Sequence, residues 1–114
     1  MPGMQRLTVL GLVLLVGCAD QTSEHVELVP AGAEVEIVYE APSPNAYKKV
    51  GDVRGVAAGV DVDSATEAAR NDLRNKAGAL GATLVTIDEN LGEAIPLLSK
   101  TKVTLVGRAF KQLD

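Results

Sequence analysis

Residues 63–82, DSATEAARNDLRNKAGALGA, have the clearest helical pattern in the chain, and they narrow the choice of folds at once. Ser64 and Glu67 have the spacing of a capping box, in which a hydroxyl and a carboxylate each bond a backbone N–H at a helix start. Gly81 is placed to end the helix. Apolar residues recur every three or four positions and form one stripe: Ala65, Ala69, Leu73, Ala77 and Leu80. Because the stripe is mostly alanine, we expect this amphipathic helix to lie close against a sheet.

Strand patterns lie on both sides of this helix. EVEIVYE, residues 34–40, alternates with a period of two and places Val35, Ile37 and Tyr39 on one side. Next comes a strand up to about Ala57, in which glycines indicate a bulge or turn: Gly51, Gly55 and, beyond it, Gly59. After the helix we predict a strand in TLVTIDEN, a loop over LGEAIPLLS, and a last strand in KTKVTLVGRAFKQ. The fold class is therefore α+β, with two layers: a small sheet of about four strands packed on one amphipathic helix, in the order β-β-α-β-β.

Charge is distributed unevenly along the chain. Residues 20–40 carry six acids and no Lys or Arg, whereas residues 100–111 carry four bases and no acid. Opposite charges that face one another across paired strands contribute about 0.2–1 kcal/mol each. We therefore predict that the first and last strands are neighbours.

The composition excludes several classes of function. With no Trp, two Tyr and one Phe, the core must be built from aliphatic residues, and aromatic stacking on bases, sugars or cofactor rings is largely excluded. The formal net charge is −4, and Lys and Arg do not cluster as a phosphate-binding surface requires. We expect no nucleic-acid partner.

The first seventeen residues have the pattern of an export signal. Arg6 and the terminal amine precede an apolar run of ten residues, Leu7 to Val16. That run is shorter than the ~17–25 residues of a membrane-spanning helix, and it has the length of a signal-peptide core. We predict that residues 1–17 are a signal peptide.

The end of this run, Leu15-Val16-Gly17-Cys18, resembles the lipobox of bacterial lipoproteins. In that class the Cys thiol is alkylated by a diacylglycerol, the preceding peptide is removed, and the new N-terminus receives a further acyl chain such as palmitate. The alternative is that Cys18 is a small hydrophobic residue without chemistry. Lipidation of Cys18 would leave no thiol for disulfides, metal binding or nucleophilic attack. Because Ala19 rather than Asp follows Cys18, the periplasmic face of the outer membrane is favoured over the inner membrane.

We predict a lipidated N-terminus and tether over residues 18–33, followed by one globular domain over residues 34–114. Residues 19–33 are mostly polar, lack periodicity and contain Pro30 and Gly32. They reach at most ~50 Å, which keeps the domain near the bilayer. His25 lies alone in this stretch, and we interpret it as a solvated linker residue.

Three motifs occur along residues 50–85. They are a Gly-x-Val-x-Gly segment (Gly51, Val53, Gly55), a helix with Arg, Leu, Asn and Ala at set intervals (Arg70, Leu73, Asn75, Ala77), and a Gly-Ala pair before a strand (Gly81, Ala82, Val85). In these motifs, residues 50–85 resemble the RcsF-like envelope stress-sensor lipoproteins and the related small outer-membrane lipoproteins of unknown function. VGRAF, residues 106–110, is similar to the last strand of that family. The resemblance implies a similar fold and a sensing role in the envelope. The RcsF-like sensors have disulfides and a long tether, whereas this chain has no cysteine to spare and a short tether.

Residues that carry catalytic or metal chemistry are few. One histidine and no usable cysteine exclude most zinc sites and catalytic triads. The acidic stretches 61–63 and 88–90 lack the spacing of a calcium loop; we interpret Asp63 as part of the turn into the helix and residues 88–90 as a solvated loop. Asn75 is either a structural residue that bonds backbone, the interpretation that we favour, or part of a contact surface. We predict no enzymatic activity, catalytic residue, metal, cofactor or small-molecule substrate.

The sequence thus favours a non-catalytic lipoprotein of the bacterial envelope that acts as a protein-interaction or stress-sensing module. The predicted partners are the membrane, through the lipid on Cys18, and other envelope proteins. Two alternatives stay open: a structural accessory lipoprotein of an envelope assembly, and a periplasmic enzyme or ligand-binding protein.

Overall fold

The computed structural model describes residues 26–114. The predictions for the signal peptide, Cys18, the start of the tether and His25 lie outside these described residues. Within them the elements are, in chain order, a one-turn helix α1 (Pro30–Ala33), β1 (Glu36–Val38), β2 (Tyr47–Gly59), the main helix α2 (Val62–Ala79), β3 (Leu84–Thr86), β4 (Glu89–Ile95), a 3₁₀ turn (Pro96–Leu98) and β5 (Lys100–Gln112). The predicted α+β fold class is confirmed: one main helix packs on a mixed sheet of five strands.

β5 is the centre of the sheet. β2 pairs antiparallel with one edge of β5, and β3 and β4 pair antiparallel, one after the other, with its second edge. β1 is parallel to β3, with Glu36 opposite Leu84, which makes the strand order β1-β3-β5-β2.

The predicted pairing of the first and last strands is therefore wrong. Both edges of β5 are taken by other strands, and its bases meet acids there: Lys102 lies opposite Glu93, and Arg108 lies opposite Asp52. The β4–β5 hairpin closes through a short connection, which costs little loop entropy. This hairpin places the carboxylate of Glu93 opposite Lys102, so the bases of β5 gain an acidic neighbour without pairing with the acidic N-terminal segment.

The prediction of a loop over residues 91–99 is also wrong, because β4 and the 3₁₀ turn occupy it. β4 is held by main-chain pairing with β5 from Glu89↔Val106 to Ile95↔Lys100. All its residues but Ile95 are exposed, so no alternation of apolar and polar residues marks the strand. Ser99, with a φ of 51°, follows the 3₁₀ turn and completes the connection to β5.

α2 begins earlier than its predicted cap. Asp61, not Ser64, is the N-cap: its carboxylate accepts a hydrogen bond of 2.8 Å from the Ser64 N–H. The hydrogen bonds from Ser64 hold the pKa of Asp61 below its ordinary value. A carboxylate at this position also faces the positive end of the helix dipole, which favours Asp61 over the hydroxyl three residues later. Gly81, with a φ of 79°, follows the helix end as predicted.

The buried side of α2 is the predicted stripe with one exception. Five positions are buried: Ala65, Ala68, Ala69, Leu73 and Ala77. Leu80 is 46% exposed because α2 ends at Ala79, so its inclusion in the stripe was wrong. The core that α2 covers is aliphatic, as the composition required, and its largest fully buried members are Leu73, Leu105, Val35, Val85 and Val103.

Glycines on β2 let α2 approach the sheet. A Cβ at Gly55 would overlap the carbonyl oxygen of Ala69, and one at Gly59 would meet the backbone of Ala65. The predicted bulge occurs between Lys49 and Gly51, but β2 runs on through Gly55 to Gly59. Gly55 and Gly59 are thus points of close helix contact and not breaks in the strand.

The free edge of β2 is blocked at its middle by two side chains of α2. The Val56 N–H donates to Asp72 Oδ2 at 2.9 Å, and Lys76 Nζ donates to the Arg54 carbonyl at 2.8 Å. Asp72 and Lys76 also form an ion pair of 3.0 Å. Since an open edge invites another strand to pair, this arrangement protects β2 from edge-to-edge association.

Candidate functional site

The chain before β1 is docked on α2 by two asparagines. Asn71 Nδ2 donates to the Val26 carbonyl at 2.9 Å. Asn75 Nδ2 donates to the Glu27 carbonyl at 2.7 Å, and Asn75 Oδ1 accepts from the Val29 N–H at 2.9 Å. Asn75 therefore bonds backbone, the role that we favoured for it. Residues 26–33, which we assigned to the tether, are attached to the domain.

An open groove lies between α2 and β1, with a cavity volume of about 630 Å³. We call it the α2–β1 groove. Its lining residues come from one outer face of α2 and from the start of β1: Val35, Glu36, Ile37, Asp63, Thr66, Glu67, Arg70, Asn71 and Arg74. The helical members are spaced three or four apart, so the period of α2 brings them to the same side.

Arg74 forms the wall of the groove near α1. Its Nε donates to the Val35 carbonyl at 2.9 Å, and its Nη2 donates to the Ala33 carbonyl at 3.2 Å. These two carbonyls end α1 and precede β1, where no helical partner is available to them. Arg74 thus fixes the chain between α1 and β1 while its charge stays at the groove.

Arg70, which lines the groove, is bonded to Tyr39 outside it. Arg70 Nη1 donates to the Tyr39 hydroxyl at 2.8 Å. A second cavity of about 260 Å³ shares Thr66 and Arg70 with the groove, and it is also lined by Tyr39, Asp88 and the start of β4. The prediction that Tyr39 faces inward with Val35 and Ile37 was wrong: β1 ends at Val38, and Tyr39 is 65% exposed.

The groove carries charges of both signs. Glu36, Asp63 and Glu67 face two guanidinium groups, Arg70 and Arg74. This mixture does not concentrate positive charge as a phosphate site would. The groove can instead accept a surface that offers both charges and backbone polar groups, such as a peptide segment of another protein.

The groove offers no activated nucleophile. The Thr66 hydroxyl donates to the Val62 carbonyl of its own helix at 2.6 Å, the usual bond of a threonine inside a helix. Across residues 26–114, no group of three or more His, Cys, Asp or Glu side chains is placed to hold a metal ion. In the same part of the chain, no helix is both long and apolar enough to cross a membrane.

Asp88 lies next to the second cavity in an ion pair with β5. Arg108 donates to it twice, from Nε at 2.9 Å and from Nη2 at 3.0 Å. The hydrogen bonds from Arg108, opposed by partial desolvation, lower the pKa of Asp88, and the pair raises the pKa of Arg108. Thr86 Oγ1 joins the network by accepting from the Arg108 N–H at 2.9 Å.

The interpretation of residues 88–90 as a solvated loop is therefore wrong. Asp88 is held by Arg108, and Glu89 and Asn90 begin β4. The interpretation failed because the partner of Asp88 lies twenty residues away in sequence. Asp63, as predicted, lies where the chain enters the helix, in the first turn of α2.

Sequence reasoning singled out Asn75 but missed the other side chains that shape this site: Tyr39, Asn71 and the groove-forming roles of Arg70 and Arg74. One signal for them was present. Arg70 with Arg74, and Asn71 with Asn75, form two rows at a spacing of four residues beside the apolar stripe. Such rows indicate a second occupied face of the helix.

Comparison with known proteins places the domain in a family but does not give it a function. Residues 26–111 match the model of a family described as a domain of unknown function, DUF4156. The matched range contains every residue that lines the α2–β1 groove. No curated protein and no solved structure matches the chain.

Proposed function

This chain belongs to the DUF4156 family, and we propose that it is a lipid-anchored, non-catalytic protein-interaction module of the bacterial envelope. The observation that carries the proposal is Leu15-Val16-Gly17-Cys18 at the end of a short apolar run. Cys18 is the proposed lipidation site, and the periplasmic face of the outer membrane is the proposed location. The resemblance of residues 50–85 to the RcsF-like lipoproteins supports an envelope role, with stress sensing as one form of it.

The docked N-terminal segment keeps such a domain close to its membrane. Val26 is already attached to α2, so only residues 19–25 separate the docked chain from Cys18. Seven residues span at most ~25 Å. A partner would therefore be met near the bilayer.

The α2–β1 groove is the proposed contact site for that partner. It is open, it offers carboxylate and guanidinium groups together, and its walls are held by the Arg74 and Arg70 hydrogen bonds. Preformed walls reduce the ordering cost of binding. The Thr66 hydroxyl is engaged with its own helix, which supports binding rather than catalysis.

Cys18→Ala tests the anchor. In cells fed a labelled fatty acid, the wild-type protein should carry the label and sediment with membranes, because two or three acyl chains give stable anchoring. Cys18→Ala should lose the label and leave the membrane fraction. His25→Ala, a change in the same segment that spares the cysteine, is the matched control and should keep both. Label that persists in Cys18→Ala refutes lipidation at this residue.

A photo-crosslinking residue placed at Glu67 tests the groove. Glu67 is exposed and lines the α2–β1 groove, whereas Lys111, the control position, is exposed near the end of β5. We expect an envelope protein to be captured from Glu67 and not from Lys111. A captured partner that changes under envelope damage indicates sensing, and a constant partner indicates a structural role. Equal capture at both positions, or none, contradicts the groove as the contact site.

A further inference from the structure

Exposed apolar side chains gather at one end of the domain. Leu97 is 97% exposed and Leu98 is 62% exposed in the 3₁₀ turn of the β4–β5 hairpin, and Val60 and Val62 are exposed on either side of the α2 N-cap. We call Val60, Val62, Leu97 and Leu98 the apolar end. A soluble surface rarely concentrates large apolar residues without a partner.

The strand register places these four residues at the same end. Gly59, the last residue of β2, lies opposite Thr101, and the hairpin turn begins one pair further on, at Ile95↔Lys100. α2 starts just beyond Gly59, where an added Cβ would meet the backbone of Ala65. The end of β2, the start of α2 and the hairpin turn are thus neighbours.

The N-terminal segment runs toward this end when it is followed backward. Ala31 lies against Gly78, Val29 and Glu27 are bonded by Asn75, and Val26 is bonded by Asn71. Earlier residues of the segment thus meet earlier turns of α2. From Asn71 to the start of α2 the helix rises only ~14 Å. The ~25 Å reach of residues 19–25 therefore includes the apolar end.

We propose that the apolar end inserts into the interfacial region of the bilayer that holds the lipid on Cys18, with Leu97 and Leu98 among the lipid chains. This inference rests on the proposed lipid anchor. The bilayer is the occupant because the described segment, followed back to Val26, runs along α2 toward this end, and the proposed lipid on Cys18 is only eight residues before Val26. Acids and bases both occur near the apolar end in sequence, Asp61 and Asp63 beside Val60 and Val62, and Lys100 and Lys102 after Leu98. Apolar burial, rather than attraction to anionic headgroups, therefore drives the insertion.

Lipid-borne quenching of a single fluorescent label tests the insertion. The full chain, processed and acylated in cells, is reconstituted in phosphatidylethanolamine–phosphatidylcholine vesicles with an environment-sensitive label on Leu97→Cys. Leu113→Cys is the matched control, because Leu113 is 44% exposed and follows β5 at the opposite end of the domain. We expect a blue shift and nitroxide-lipid quenching at position 97 and neither at position 113. Leu98→Ser should reduce the quenching at position 97, and Leu80→Ser should not.

The outcomes separate the two proposals. Acylated protein whose label at position 97 is not quenched overturns the insertion and leaves the anchor standing. A blue shift without quenching by nitroxide lipid shows that protein, for example a second copy, covers the turn, and this also overturns the insertion. Absence of acylation on Cys18 overturns the proposed function and, with it, this inference.

Discussion

At Gly55 the backbone of β2 meets the backbone of α2. A Cβ there would overlap the carbonyl oxygen of Ala69 and would also press on Leu73. Ala69 is itself fully buried, so neither element has room to yield. Close approach of helix and sheet in this domain is thus set by a glycine on one side and an alanine stripe on the other.

We expect Gly55→Ala to lower the free energy of unfolding by about 1–3 kcal/mol, because overpacking forces the backbones apart. Gly92→Ala is the control: Gly92 also lies within a strand, but an added Cβ there meets nothing within 4 Å. The control should change stability by less than ~1 kcal/mol and in the favourable direction. Urea unfolding of both variants measures the difference. Equal stabilities would mean that helix and sheet are not in tight contact at Gly55.

The ion pair of Asp88 with Arg108 makes stability depend on pH. The pKa of Asp88 is lowered in the folded protein, so the native state binds this proton less readily than the unfolded chain does. The stabilisation is complete above the ordinary Asp pKa of about 3.9 and is lost as the pH falls through the lowered folded value. Both side chains are about one-third exposed, so solvent and salt screen the pair.

Asp88→Asn should therefore reduce the free energy of unfolding near neutral pH and should have progressively less effect as the pH falls below 4. Glu89→Gln removes the neighbouring exposed carboxylate and serves as the control. Chemical unfolding across this pH range, at low and high salt, measures both variants. A penalty for Asp88→Asn that is the same at every pH would assign the effect to packing rather than to charge.

At the scale of elements, two different faces of α2 pack against other parts of the chain. Its alanine stripe covers the sheet, and its rows of asparagine and arginine hold residues 26–35 on the opposite flank through Asn71, Asn75 and Arg74. α1 has only four residues, too few to form a stable helix alone. Its structure therefore depends on α2.

Asn75→Ala should loosen this docked segment without unfolding the domain. The substitution removes hydrogen bonds to Glu27 and Val29, each worth about 1 kcal/mol. Amide exchange of Val29 should rise about tenfold or more, while amides of β5 keep their protection. Asn90→Ala, on the exposed start of β4, is the control. Unchanged exchange at Val29 would show that packing of Gly32, rather than the Asn75 amide, holds the segment.

At the scale of the whole molecule, the domain has one thin core. The helix covers one face of the sheet, where Leu73 and Leu105 are the largest fully buried side chains. On the other face Val56, Thr104 and Val106 are only partly buried. Since small domains are marginally stable, the loss of one large core residue removes a large share of the total free energy of unfolding.

Leu73→Ala should lower the free energy of unfolding by about 2–5 kcal/mol, the usual cost of a cavity at a fully buried leucine. Leu80→Ala is the matched control, since Leu80 directly follows the same helix and is 46% exposed. Thermal unfolding followed by circular dichroism should show a large fall in Tm for Leu73→Ala and a small one for Leu80→Ala. Similar falls would place the centre of the core elsewhere.

The local patterns of the sequence were sufficient for the main elements. The last strand was predicted over the residues that β5 occupies, 100–112, and α2 was predicted from its stripe, apart from its first residues. Fold class followed, because the periods of helix and strand burial are properties of neighbouring residues. The aliphatic core also followed, because a chain with so few aromatic residues has no other material for it.

Strand pairing and the candidate site were decided only by the tertiary structure. The sequence shows that residues 36–38 are strand-like, but it does not show that they pair with β3 rather than β5. β4 has no buried face to reveal it, and the hydrogen bond from Arg70, at the α2–β1 groove, to Tyr39 joins residues thirty-one apart in the chain. The physical reason is the same in each case. Burial of one face of a helix or strand produces a repeating pattern among neighbouring residues, which the sequence shows. Contacts between residues far apart in sequence depend on which strand edges and side chains meet in the packed chain, and the local pattern does not show this.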